Sequence, residues 1–145
     1  MNPAEQATLD AHRRTSAGLD FSDDADFADA RRGFIATVPD GEVRAADGRV
    51  VFSQKRYAFV DAPEAPPTVH PSLWRHARLN RHHGLFQVSE RIFQVRGLDL
   101  ANVTFIEGDE GLIVIDAATY AEAARCALEL FLQHPPSREI YTMIY

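Results

Sequence analysis

The side chains able to do chemistry are six histidines (His12, His70, His76, His82, His83, His134), one cysteine and a few acids beside turns. A zinc site needs three or four ligands converging from fixed spacings, such as two histidines one helical turn apart plus a distant acid. His76 and His83 lie seven residues apart, so their partners would have to come from elsewhere. His82 and His83 are adjacent, which on a helix points them about 100° apart. The histidines therefore read as solvated or helix-terminal side chains. Cys126 sits in a helical pattern and reads as a small apolar residue, with no neighbouring base to make it a nucleophile. Gly108-Asp109-Glu110-Gly111 lacks the Lys-Ser/Thr of a phosphate loop and opens a strand, so its acids read as solvent-facing turn residues. Asp116 differs, because it ends an apolar strand at the rim where open sheets carry function. From spacing alone it reads as a capping or turn residue.

The elements that must position these groups centre on residues 102–145. Val103–Glu107 and Leu112–Ile115 read as strands joined by the double-glycine turn. The near-continuous apolar run of the second suits a strand buried on both faces. Thr119-Tyr120-Ala121-Glu122 fits a capping box, followed by a helix with Ala123, Ala124, Ala127, Leu128 and Phe131 on its inner face. That helix is expected to end near His134, before Pro135-Pro136. Ile140–Tyr145 is a last apolar strand, after which the loop expected to carry function is missing. The chain reads as the front part of a larger protein.

Upstream, residues 1–20 are polar and alanine-rich, and are expected to form a flexible tail. Residues 21–80 read as an N-terminal arm: a short helix over Asp26–Arg32 stopped by Gly33, and a hairpin around Asp47-Gly48. A proline-rich connector over Asp61–Pro71 and a helix starting at Pro71 complete it. In that helix Leu73, Trp74, Ala77 and Asn80 are expected inward, with Arg75, Arg78 and Arg81 outside and Gly84 as the stop. Leu85–Val88 and Ile92–Val95 then pair with the two later strands as a four-stranded antiparallel start to a sheet over residues 81–145.

The whole-chain balance narrows the classes. A chain of 145 residues with 46% hydrophobic and 25% charged residues is an ordinary globular composition with room for one core. The net charge of −6, with no Lys/Arg cluster, excludes a nucleic-acid surface. One cysteine excludes an internal disulfide, and no run is apolar and long enough to span a membrane. Residues 1–14 carry no apolar signal core, so a cytoplasmic location is expected.

The stretch from Gln94 to Asp116 (QVRGLDLANVTFIEGDEGLIVID) resembles the opening of the zinc alkyl sulfatases, hydrolases of the metallo-β-lactamase superfamily. Residues 47–51, 71–75 and 80–86 resemble them too, so the likeness runs from about Asp26 to Tyr145. It implies an αββα sandwich, here only its first half: an incomplete, mostly antiparallel α+β unit. It also implies cleavage of alkyl sulfate esters to alcohol and sulfate at a two-zinc centre, and a homodimer. The family's Thr-His-x-His-x-Asp-His motif would follow Tyr145, so no catalytic residue and no metal ligand falls in this chain, which is expected to bind no zinc and to be inactive alone. The one motif position present is Asp116, implied to support the metal loop from behind its ligands. Ala117 replaces the family's usual proline, and Pro135–Arg138 is a variant of the loop before the last strand. The alternatives are another hydrolase of the same superfamily, or a non-catalytic truncated relative acting as a binding or assembly module.

Overall fold

The computed structural model describes residues 4–134 and 139–145. Its elements, in chain order, are α1 (Gln6–Ser16), α2 (Ala25–Arg31), β1 (Phe34–Ala36), β2 (Glu42–Arg44), β3 (Val50–Ser53), α3 (Pro71–Leu79) and β4 (Gly84–Ser89). Then come β5 (Ile92–Arg96), β6 (Val103–Glu107), β7 (Leu112–Ile115), α4 (Ala121–Leu132) and β8 (Ile140–Ile144). The Pro135-Pro136 helix stop and the Pro135–Arg138 loop variant lie outside the described residues.

Strands β4 to β7 form the expected antiparallel meander. Cross-strand partners fix which residues share a face: Leu85 lies opposite Val95, Phe93 opposite Phe105, and Phe105 opposite Val114. These residues point to one side, where all are buried with Val103 and Leu112. Helix α4 covers that side with Ala123, Ala127, Leu130 and Phe131. The Phe131 ring stacks on Phe105 with centroids 4.3 Å apart and meets Phe93 edge-on at 5.5 Å. Full burial of such a side chain contributes about 1.5–3 kcal/mol. The sheet extends at both edges: β1 joins β4 antiparallel, and β8 joins β7 in parallel after the α4 crossover. The β2–β3 hairpin forms around Asp47-Gly48 as expected and contributes Val43 to the same core.

Several expectations are corrected. Gln6–Ser16 is a helix rather than part of a loose tail. It is tied to α3 through His70, whose Nδ1 accepts from the Ser72 amide at 3.1 Å while Nε2 meets Thr15 Oγ1 at 2.9 Å. Strand β7 is covered on one face only: Ile113 is half-buried and Ile115 exposed, because α4 lies on the opposite side. Leu73 is exposed, while Trp74 is buried and donates Nε1–H to the Ala62 carbonyl at 3.2 Å. Arg75 and Arg81 are mostly covered rather than outward. Acids fold back over α3, so Arg75 grips Asp26 at 2.5 and 2.9 Å and Arg81 grips Asp61 at 3.1 Å through two nitrogens. Forked guanidinium–carboxylate geometry favours such pairs. Helix α3 ends at Leu79, so Gly84 opens β4 instead of stopping the helix. The Thr119 capping box is absent: the N-cap of α4 is Tyr120, with no side-chain cap, and the Thr119 amide is taken by Asp99. Among the described residues no helix is long and apolar enough to cross a membrane.

Candidate functional site

One edge of the sheet gathers the carboxyl end of β7, the β5–β6 loop and the start of β4. The register places them together: Gly84 pairs with Arg96, Val95 with Val103, and Thr104 with Ile115. Asp116 follows directly. Its backbone is left-handed (φ 63°), as is that of Ala118 (φ 61°). L-residues adopt this region at a cost, and such strain persists only where surrounding contacts hold it. Here the Asp116 Oδ1 accepts the Ala118 amide at 2.9 Å, and its own amide donates to the Ile144 carbonyl at 2.9 Å. Asp116 is thus the turn-former of the β7–α4 loop, exposed at the rim.

Asp99, which the sequence reading did not single out, is the companion acid. It is buried, and its two carboxylate oxygens accept the amides of Leu100, at 2.6 Å, and of Thr119. A buried carboxylate must be hydrogen-bonded to be tolerated. Asp99 thereby joins the β5–β6 loop to the loop carrying Asp116. The only sequence signal was an acid between Leu98 and Leu100 in a short interstrand loop.

Beside this rim opens a cleft of about 560 Å³, lined by Gln54, Tyr57, Arg81, His82, Arg96 and Asn102 among others. A second recess of about 440 Å³ shares Arg81 and His82 and adds Thr37, His83 and Phe86. Two contacts hold the cleft in shape. Gln54 is buried; its Nε2 donates to the Gly97 carbonyl at 2.6 Å, and its Oε1 accepts from Arg81 at 2.8 Å. Gly97 has φ 67°, and a Cβ there would sit 2.8 Å from the His83 Cβ. Burial, then the charge of Arg31, pushes the His82 pKa below its ordinary value; burial, Arg81 and His82 do the same for His83. His83 Nδ1 lies 2.7 Å from Thr37 Oγ1.

The other sequence-marked groups stay apart. His12 on α1 contacts His70, the N-cap of α3, far in sequence from the rim, and His134 Nδ1 lies 2.9 Å from the Leu130 carbonyl on α4. Cys126 is half-buried against the core, and burial together with Glu129 raises its pKa, which disfavours the thiolate. Among the described residues no three His, Cys, Asp or Glu side chains converge where they could hold a metal ion.

The architecture, a meander capped by one crossover helix and a parallel strand, has close counterparts. It superposes on the stereoselective inverting sec-alkylsulfatase Pisa1 from Pseudomonas sp. with a TM-score of 0.86 and 44% identity, over 99% of this chain and 23% of that one. The fold is therefore that of the N-terminal part of a sec-alkylsulfatase structure. No protein-family model matches the chain. It is 44% identical over 142 residues to the alkyl/aryl-sulfatase BDS1 of Saccharomyces cerevisiae, covering 97% of this chain and 22% of that protein. It is also 44% identical over 143 residues to the (R)-specific secondary-alkylsulfatase of Pseudomonas sp, covering 99% and 21%. By sequence and fold alike, the chain corresponds to a small N-terminal part of the alkylsulfatases. It spans about a fifth of the length of these relatives.

Proposed function

We propose that these residues are the N-terminal scaffold of a hydrolase that cleaves alkyl sulfate esters to alcohol and inorganic sulfate. The observation that carries this reading is 44% identity sustained over nearly the whole chain to alkylsulfatases, in the same three-dimensional arrangement. The finer parts of the reading are a metallo-β-lactamase-type sandwich, two zinc ions and a homodimer. They rest on the resemblance of the 94–116 stretch. Among the described residues no side chains form a zinc ligand set, so none of them is assigned as a ligand. Zinc would supply Lewis-acid activation of water and of the sulfate ester.

What this chain contributes is support. The Asp116 turn, strained and tied to Ala118, together with the Asp99 link to Thr119, holds the β7 rim in one shape. Asp116 is assigned as a positioning residue for the loop that would carry the ligands. The test is sulfate release from a secondary alkyl sulfate by a protein carrying these residues at its N-terminus. Turnover is expected there and none from the 145 residues alone. Asp116→Asn should lower zinc occupancy or turnover by about 10- to 100-fold while leaving the melting temperature nearly unchanged. Full activity in Asp116→Asn would remove the assigned role. Sulfate release by the isolated chain would overturn the scaffold reading.

A further inference from the structure

The β7–α4 loop holds a backbone shape that its own residues disfavour. Asp116 and Ala118 are both left-handed (φ 63° and 61°), and neither is glycine. In an unrestrained chain each such residue leaves that conformation disfavoured by roughly five- to thirtyfold. The loop supplies one bond of its own, from the Ala118 amide to Asp116 Oδ1 at 2.9 Å. The next amide is held from a distant segment: Thr119 donates to Asp99, twenty residues earlier.

Asp99 can serve as a fixed post because it is itself braced. It is buried, and its other oxygen accepts the Leu100 amide at 2.6 Å. Leu98 beside it sits in the core. Just upstream, the Gly97 carbonyl accepts Gln54 Nε2 at 2.6 Å. Gln54 is fixed in turn by Arg81, which donates to its Oε1 at 2.8 Å and to its carbonyl at 2.5 Å, while Asp61 holds Arg81. Contacts therefore run without a break from the N-terminal arm to the rim. Continuity alone is not coupling. What gives this set an effect is the relaxed alternative open to the loop once Thr119 is released.

We infer that Asp99 is a positioning residue for Asp116, keeping the loop left-handed through the Thr119 amide, and that Gln54 anchors Asp99 from the N-terminal arm. The inference deepens the hydrolase reading and rests on it for any effect on turnover. The hold on the loop does not depend on that reading.

The experiment has two readouts. In the 145-residue chain, amide hydrogen exchange at Ala118 and Thr119 reports the loop directly. In a protein carrying these residues at its N-terminus, kcat and KM for a secondary alkyl sulfate report the consequence. Asp99→Ala removes both acceptors, and Asp99→Asn leaves one acceptor for two amides. Thr119 exchange should rise about tenfold or more in Asp99→Ala and by less in Asp99→Asn. In both, kcat should fall, by about tenfold in Asp99→Ala, with KM nearly unchanged. Gln54→Met, of similar size, should raise Thr119 exchange about threefold. If Asp99→Ala does not fold by circular dichroism, Asp99→Asn and Gln54→Met carry the same test. Ala118→Gly separates positioning from mere support of the fold, because glycine adopts φ 61° freely. Added to Asp99→Asn, it should restore most of the lost kcat, which a general loss of buried hydrogen bonding would not allow. Thr119 exchange unchanged in Asp99→Ala or Gln54→Met, or no recovery with Ala118→Gly, would overturn the proposal. Absence of turnover in the unmodified protein would instead overturn the hydrolase reading, with the exchange measurements still deciding the hold on the loop.

Discussion

At the scale of single residues, the site edge depends on a few positions where ordinary side chains do not fit. Gly97 is the sharpest. Its φ of 67° is one cost for any L-residue, and the 2.8 Å approach to His83 is a second. Gly48 separates the two costs: it has φ 84°, but a Cβ added there would meet nothing within 4 Å. Gly97→Ala should therefore destabilise the chain by roughly 1–3 kcal/mol, and clearly more than Gly48→Ala, as measured by urea denaturation. Equal effects would mean that the His83 contact relaxes freely. The sequence signalled neither cost at Gly97, because both arise from chain segments distant in sequence. Asp116 was legible as a residue at a rim, since a lone acid ending an apolar strand is a local pattern. Asp99 was not, because it is meaningful only through Thr119, twenty residues further along the chain.

At the scale of elements, the hydrophobic periods located the strands of the meander and the crossover helix well. What they missed was decided by neighbours. Helix α1 forms although its pattern is weak, because His70 and Thr15 fasten it to α3. The Thr119 cap fails because Asp99 reaches its amide first. The arginines of α3 read as solvent-facing by period, yet Arg75 is turned to α2 by Asp26. That clamp has a pH consequence. Hydrogen bonds from Arg75 hold the Asp26 carboxyl below its ordinary value, outweighing the opposing effect of burial. A carboxylate with a depressed folded-state pKa stabilises above its unfolded value, about 3.9, and loses that contribution as pH falls through the folded-state value. The docking of α2 on α3 should thus hold at neutral pH and loosen in acid. Asp26→Asn near pH 6 should reproduce the acid behaviour, and Arg75→Met should abolish the pH dependence. Amide signals of Phe27 and Ala28, followed by NMR through the titration, read this directly. A pH-independent α2 in the unmodified chain would show that the clamp contributes nothing.

At the scale of the whole molecule, the sheet is protected on one side of its face and at one edge only. Strand β1 blunts the β4 edge by being three residues long, and an irregular register follows Phe34. Strand β8 at the other edge is five residues long and exposed throughout. Tyr141 is 71% and Ile144 52% accessible. Its inner edge is spent on β7, so its outer backbone groups and its apolar side chains face solvent together. A long apolar edge is a template for pairing with another chain, and natural edges are commonly blunted with lysine. The 145-residue chain should therefore self-associate as its concentration rises from micromolar toward millimolar. Ile144→Lys combined with Tyr141→Lys should shift it toward monomer without altering the core, since neither side chain contributes to the cluster around Phe131. Light scattering coupled to size exclusion, run across that concentration range, distinguishes the outcomes. A chain that remains monomeric throughout would show that β8 is not adhesive. Association unchanged by the two lysines would place the sticky surface elsewhere, with the half-buried face carrying Ile106 and Ile113 the next to substitute.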